Sequence, residues 1–306
     1  MGVTRVIREQ LTPAHQVFIA EMGARHVGDI RELVELVHPS VGLITSVGPQ
    51  HLDTFGTVER VRDTKYELME GLPQDGIAIF ARDGAMCDEL YARCPLAAKY
   101  QPGDLMDAEG IEAGPWGTRF TLRDRQTGES REISTRLLGE HSIANLLLCC
   151  TAARALGLTL EEIAAGAARC QPVEHRLQLI SGAGGVSIID DAFNANPVGA
   201  RAALRVLKGF PGRRIIVTPG MVELGGGEEQ FNREFGGQMA SCVDIAILVG
   251  RKHTQPIAEG LEAAGFDKAH IHVVGSLNES TELLHTMMQP GDVVLYENDL
   301  PDNYSE

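Results

Sequence analysis

A carboxylate, an imidazole and an amine open the search for chemistry in this chain. Glu21 ends the apolar run Gln16–Met22, just before Gly23. His51 follows a second apolar run, within Gly48-Pro49-Gln50-His51-Leu52-Asp53, and Lys65 lies in Arg62-Asp63-Thr64-Lys65-Tyr66-Glu67. Ligands of open α/β sheets bind at the carboxyl ends of strands, so Glu21 and His51 could converge there. A carboxylate suits a hard cation such as Mg²⁺, for which imidazole is a less usual ligand. Spacing alone leaves other roles open. Glu21 serves equally well as a helix cap, His51 as a loop hydrogen-bonding group and Lys65 as a solvated helix lysine.

A second constellation is His175-Arg176 followed by Asp190-Asp191-Ala192-Phe193-Asn194-Ala195-Asn196-Pro197. Its carboxylates end a strand, where Asp commonly holds ribose hydroxyls. Pro197 suits the first turn of a helix. Arg176 offers a planar fork for phosphate oxygens. A buried Asx turn beside a surface arginine would leave the same trace. A third segment, Gly139-Glu140-His141-Ser142-Ile143-Ala144-Asn145, enters a helix whose N-terminus could receive an anion or the edge of a ligand. The Gly-rich stretch Gly220–Gly227 reads as a turn and not as a phosphate cradle. Neither GxxxxGK[ST] nor a GxGxxG after a strand occurs, which speaks against a dinucleotide-dependent oxidoreductase.

Positioning these groups requires alternating strands and helices, the pattern of a parallel sheet covered on both faces. The expected strands are Gln16–Met22, Val41–Val47 and Gly76–Phe80, with helices at Asp29–Val37 and at Thr57–Gly71, the latter capped by Thr57. Trp116–Arg123 and Arg131–Arg136 alternate polar with apolar residues around Thr127-Gly128, which predicts an antiparallel hairpin. Helices are expected at Ile143–Leu156 and Leu160–Cys170. A second series has strands at Val186–Ile189, Arg214–Val217, Ile245–Val249, Ile271–Val274 and Val293–Tyr296. Its helices fall at Pro197–Leu207, Glu228–Ala240, Thr254–Ala264 and Glu279–Met288. The most linker-like stretch is Ser181–Gly185, so the boundary is drawn between residues 178 and 179. The expected fold class is α/β: residues 1–178 form a mostly parallel sheet with helices on both faces plus the hairpin, and residues 179–306 form a Rossmann-like domain.

Composition narrows the partners. The 306 residues carry 27 basic and 42 acidic side chains, a formal charge of −15, which repels nucleic acid and anionic membranes. No apolar run approaches the roughly 20 residues that span a bilayer, and Met1-Gly2-Val3-Thr4-Arg5 has no apolar signal core. Six cysteines without a CxxC pair suggest reduced thiols and a cytoplasmic setting.

Taken in order, several strings resemble the Mur ligase family, closest to its MurF branch. They are Ile19-Ala20-Glu21-Met22-Gly23-Ala24, Val47 through Gly56, Lys65-Tyr66-Glu67-Leu68 with Gly71-Leu72-Pro73, Gly139 through Asn145, His175-Arg176-Leu177, Asp190-Asp191 through Asn194-Ala195-Asn196-Pro197, and Met221 through Gly225. The resemblance covers nearly the whole chain. It implies an ATP-dependent ligase of peptidoglycan precursor synthesis that joins a carboxylate to an amine through an acyl phosphate. It implies that Glu21 and His51 hold Mg²⁺ and that Lys65 is carbamylated with CO₂, which turns a cation into an oxygen ligand. It places His141 and Asn145 at adenine, Arg176 at phosphate, and Asp191 with Asn194 near the nucleotide across the domain cleft. The implied substrates are a UDP-N-acetylmuramoyl peptide and an amino acid or dipeptide, D-alanyl-D-alanine in the MurF branch.

The departures matter as well. The family's P-loop and uridine-binding N-terminal domain would lie upstream of Met1, so weak ATP binding and no ligase activity are expected of this chain alone, unless the missing segment is supplied in cis or by a partner subunit. Ala81-Arg82-Asp83-Gly84 replaces an Asn-rich turn, and Phe193 stands where Tyr is frequent. The ending from Glu297 to Tyr304 departs from the branch pattern, which puts the incoming amine in doubt. Relatives such as folylpolyglutamate or cyanophycin synthetase remain alternatives, and so does a non-catalytic binding module of the same fold. The Asp-Asp-x-Phe-Asn-Ala-Asn-Pro string favours the MurF branch.

Overall fold

A computed structural model describes residues 2–48, 51–193, 195–222 and 224–298. The candidate Asn194 lies outside the described residues. So do Pro49, Gln50, Glu223 and residues 299–304, parts of the strings singled out above. The chain divides into two compact units that are discontinuous in sequence: 1–106 with 148–157, and 107–147 with 158–306. No described helix is long and apolar enough to cross a membrane.

The first unit runs α1 (Gly2–Glu9), α2 (Asp29–Val37), β1 (Val41–Ile44), α3 (Leu52–Phe55), α4 (Val58–Glu70), β2 (Ile77–Phe80), α5 (Ala85–Arg93) and β3 (Ala98–Tyr100). Its three strands pair in parallel in the order β1-β2-β3. Ala78, Ile79 and Phe80 are fully buried, as expected of a strand covered on both faces. Thr57 caps α4, its hydroxyl accepting from Arg60 N–H. Glu67 is 5 % exposed and turns its carboxylate onto the first turn of α2, accepting from Gly28 N–H at 3.0 Å and Arg31 N–H at 2.9 Å. A charged acceptor there satisfies orphan amides and complements the helix dipole.

The expected strand at Gln16–Met22 is not formed. The segment is irregular, with Val17 63 % and Ile19 87 % exposed. An apolar strand is stable only where ladder hydrogen bonds and cover on both faces come together, and among the described residues no strand pairs with this one.

The second unit begins with β4 (Met106–Gly114), β5 (Gly117–Asp124) and β6 (Ser130–Thr135), a three-stranded sheet in that order. β5 and β6 form the expected antiparallel pair. β4 is an additional strand; its sequence MDAEGIEAG lacks the alternation that would announce it. Helix α6 (Glu140–Ala155) starts in this unit and finishes in the first, followed by α7 (Leu160–Arg169). A six-stranded sheet then forms from β7 (Gln178–Ser181), β8 (Ser187–Asp191), β9 (Arg214–Thr218), β10 (Ile245–Val249), β11 (Ile271–Val274) and β12 (Val293–Glu297). Their order is β11-β10-β9-β12-β8-β7, parallel except where β7 meets β8. Interleaved are α8 (Pro197–Lys208), α9 (Glu228–Met239), α10 (Gln255–Ala263) and α11 (Leu277–Met287).

Strand period two sorts this core. Ile216, Ala246, Leu248, Val293 and Leu295 face the layer of α8, α9 and α10, which supplies Leu204, Phe235, Ile257 and Leu261. Ile215, Val217, Ile245, Ile247 and Val294 face the other way, onto Leu284 of α11. Ser181–Gly185, expected to be a linker, is instead the tight connection between β7 and β8, closed by Gly182 N–H to Val186 carbonyl at 2.8 Å. Small residues suit a hairpin as well as a linker, and the pairing of Gln178–Ser181 with β8 decides for the hairpin.

Candidate functional site

In the first unit, Lys65 is half-buried on α4, and its Nζ donates to the Ser46 carbonyl at 2.8 Å. Burial pushes its pKa below the ordinary lysine value, while Cys87 and Asp83 oppose the shift. Burial also raises the Cys87 thiol. Glu21 is exposed in the irregular segment. His51 is exposed ahead of α3 with φ 49°. The Thr54 hydroxyl donates to the Arg25 carbonyl and so ties α3 to the segment that follows Glu21. Among the described residues no three His, Cys, Asp or Glu side chains come together as a metal site. As an ammonium ion, Lys65 is a donor and repels a cation. In that form Lys65 is not itself a magnesium ligand.

The second unit gathers its candidates tightly. β8 ends in Asp190 and Asp191, both at the carboxyl edge of the parallel sheet, where ligands dock in such folds. Asp190 Oδ2 lies 2.8 Å from His175 Nδ1, and Asp191 Oδ1 accepts from Leu177 N–H at 3.0 Å. Phe193 N–H closes the turn onto the His175 carbonyl at 3.2 Å. His175 and Leu177 adopt left-handed backbone, φ 59° and 44°. Non-glycine residues hold that conformation only where surrounding contacts over-determine it, and such outliers cluster at ligand clamps. Between them, exposed Arg176 lays its guanidinium over the Phe193 ring, Cζ 4.7 Å from the centroid. Stacking holds the plane of the fork and leaves its N–H edge for an anion.

His141 opens α6 beside this turn. A Cβ on Gly139 (φ 89°) would lie 2.9 Å from His141 Cε1 and 2.9 Å from Leu177 Cδ1, so only glycine lets ring and turn close on the same backbone. The ring keeps an exposed face, yet the packing around it pushes its pKa below the usual imidazole value, with Asp191 opposing. Asn145 lies one helical turn further on and is exposed. At the start of α8, Asn196 accepts from Val198 N–H at 3.1 Å and Gly199 N–H at 3.0 Å, with Pro197 in the first turn. Asn196→Ala removes the Oδ1 acceptor of both bonds and should lower unfolding free energy by about 1 kcal/mol, read from urea melts.

Two residues of this edge escaped the sequence reading. Glu297 ends β12 with 1 % exposure, opposite Asp191 in register. Asn298 accepts from Ala195 N–H at 3.2 Å and donates to the Gly220 carbonyl at 2.6 Å, joining three strand-end loops. The only signal was polar residues directly after the apolar run Val293–Tyr296.

Residues 1–153 match the family model for the Mur ligase middle domain, and residues 175–296 match that for the Mur ligase glutamate ligase domain. The chain belongs to the Mur ligase family. The UDP-N-acetylmuramoyl-tripeptide–D-alanyl-D-alanine ligase of Escherichia coli is 33 % identical over 268 residues, 85 % of this chain and 58 % of that protein. A crystal structure of MurF from Acinetobacter baumannii superposes with a TM-score of 0.78 at 27 % identity, covering 94 % of this chain and 63 % of the other. The fold is shared with the MurF ligase of Thermotoga maritima solved in complex with ADP, at a TM-score of 0.71 and 23 % identity over 91 % of this chain and 63 % of that one. This Mur ligase chain thus spans about three fifths of the length of the relatives it matches.

Proposed function

We propose that the chain is the middle and C-terminal part of an ATP-dependent ligase of peptidoglycan precursor synthesis, working in the cytoplasm. It would join a UDP-N-acetylmuramoyl peptide to an amine through an acyl phosphate. D-alanyl-D-alanine is the amine favoured by the names of its relatives. The observation that carries the reading is the His175–Leu177 turn, which spends backbone strain to hold Arg176 on Phe193 beside His141 and Asp191.

In this reading Arg176 meets phosphate oxygens. His141, neutral at physiological pH because its pKa is lowered, offers a hydrogen bond to the base without adding charge, with Asn145 on the same helix and Asp191 and Asn194 near the nucleotide. Phosphoryl transfer depends on positioning and charge neutralisation, which is the part these side chains would play. Glu21, His51 and Lys65 are the protein groups proposed to hold magnesium. Lys65 would qualify once carbamylated, a reaction that its depressed pKa favours by exposing the free amine. Magnesium usually takes one or two protein carboxylates plus substrate phosphates; when bound, it would neutralise phosphate charge.

The chain has no GxxxxGK[ST] string, which favours weak nucleotide binding without turnover by the chain alone. Calorimetric titration with ADP should therefore give saturable binding with Kd around 1 mM, about −4 kcal/mol. Incubation with ATP, the muramoyl tripeptide and D-alanyl-D-alanine should yield no amide product. A chain that ignores ADP at several times that concentration, with and without magnesium, refutes the nucleotide assignment.

A further inference from the structure

Glu297 is a buried acid that the chemistry above leaves unused. Its Oε2 is shielded from solvent and has no hydrogen-bond partner among the described residues. Parallel register sets it against Asp191, whose main-chain carbonyl also receives Asn298 N–H at 3.2 Å. Both side chains, if ionised, are acceptors only, and two facing carboxylates in a low-dielectric interior cannot both keep their charge. A single proton is sufficient: one carboxyl donates it to the other, which gives the buried acid a partner and removes one of two facing charges.

We propose that Asp191 and Glu297 hold one shared proton, and that this pair positions Arg176 through the His175–Leu177 turn. The path is short. Asp191 Oδ1 accepts the Leu177 N–H that pins the left-handed turn, so whatever fixes the Asp191 carboxylate fixes the turn. Among the described residues the surroundings do not supply a competing counter-charge. From β8, Asp190 is engaged by His175 and by Ala192 N–H. From α6, His141 attracts Asp191, but its own pKa is lowered; its neighbour Glu140 lies 3.8 Å from Arg205 of α8. Arg176 is turned to Phe193. Tyr296, next in β12, is raised by burial and stays neutral. The titration directions agree: burial, then Asp191, raises Glu297 well above the carboxylate range, and burial raises Asp191.

The sign of the pH effect follows. Folded chain keeps a proton that unfolded chain releases at neutral pH. The stability this confers is complete below the ordinary glutamate pKa and is lost as pH rises toward the folded value. Loss of the proton leaves two buried charges facing each other and frees the turn, so Arg176 loses its presentation in alkaline solution.

Glu297→Gln is the decisive variant, because it keeps the shape and a donor to Asp191 but cannot titrate. Its unfolding midpoint should match the parent near pH 5 and exceed it by a growing margin up to about pH 9. Infrared spectra at neutral pH should show a protonated-carboxyl C=O band in the parent that is absent in Glu297→Gln. In Asp191→Asn, where an amide replaces the carboxylate partner while the burial of Glu297 persists, the band should remain and shift in frequency. ADP affinity of the parent should fall about tenfold from near pH 7 to near pH 9, while Glu297→Gln changes less than about twofold. A stability gap that does not vary with pH, or a neutral-pH spectrum without the band, overturns the shared proton. If Glu297→Gln does not fold, the parent band and its shift in Asp191→Asn decide the same point. The final link rests on the nucleotide reading proposed above. With the band and the stability gap in place, ADP affinity that does not follow pH refutes the positioning role, and no ADP binding at any pH refutes the nucleotide reading instead.

Discussion

Gly260→Ala is expected to destabilise the chain by about 3 kcal/mol or more, at or beyond the upper end of ordinary overpacking costs. Helices α9 and α10 cross backbone to backbone. A Cβ at Gly260 would sit 2.0 Å from the Arg233 carbonyl oxygen, and one at Gly236 would sit 2.1 Å from that of Ile257. Real Cβ atoms do not approach oxygen so closely, and the clashing atoms are main chain, which no rotamer change can move. The helices must part, and with them Phe235, Ile257 and Leu261 pull away from the sheet. Alanine gains about 1 kcal/mol of helix propensity over glycine, so the net loss understates the clash. Gly166 in α7 supplies the control: a Cβ there meets nothing within 4 Å, and Gly166→Ala should stabilise. Urea denaturation of the three proteins measures both effects, and a Gly260→Ala midpoint equal to the parent's would show that the helices do not cross as described.

Arg176→Ala should weaken ADP binding by about tenfold to a hundredfold, the 1.5–3 kcal/mol associated with hydrogen bonds to charged groups. Stability should hardly change, because Arg176 is exposed and its contact is a stacked ring. Lysine restores charge without the planar fork, so Arg176→Lys should recover only part of the affinity. Titration of the three proteins with ADP separates these outcomes. Affinity that ignores the loss of Arg176 would mean that the turn bearing it serves the fold and not a phosphate.

The sequence reading was most accurate where a pattern is local. The helix Asp29–Val37, the Thr57 cap and the strand Ile245–Val249 appear where expected, since periodicity and capping chemistry act within a few residues. It failed where a strand depends on partners. Gln16–Met22 has strand composition and no pairing among the described residues, whereas Gln178–Ser181 is four residues of weak pattern made into a strand by β8. At the candidate site, residue types at Arg176, His141 and Asp191 were legible from the strings that carry them. Glu297 was not, because what makes it unusual is that its buried Oε2 has no donor among the described residues, a property of packing.

The amino-acid order by itself determined the α/β class, the family likeness and the strand-end addresses of the acidic residues, all of which depend on periods of two and 3.6 and on short motifs. Only the tertiary structure decided that two acids 106 positions apart in the chain (297 − 191) face each other across adjacent strands. It also decided that a strained turn leans on one of them. Burial and register are collective properties of many residues at once, and one proton in a dry interior depends on both.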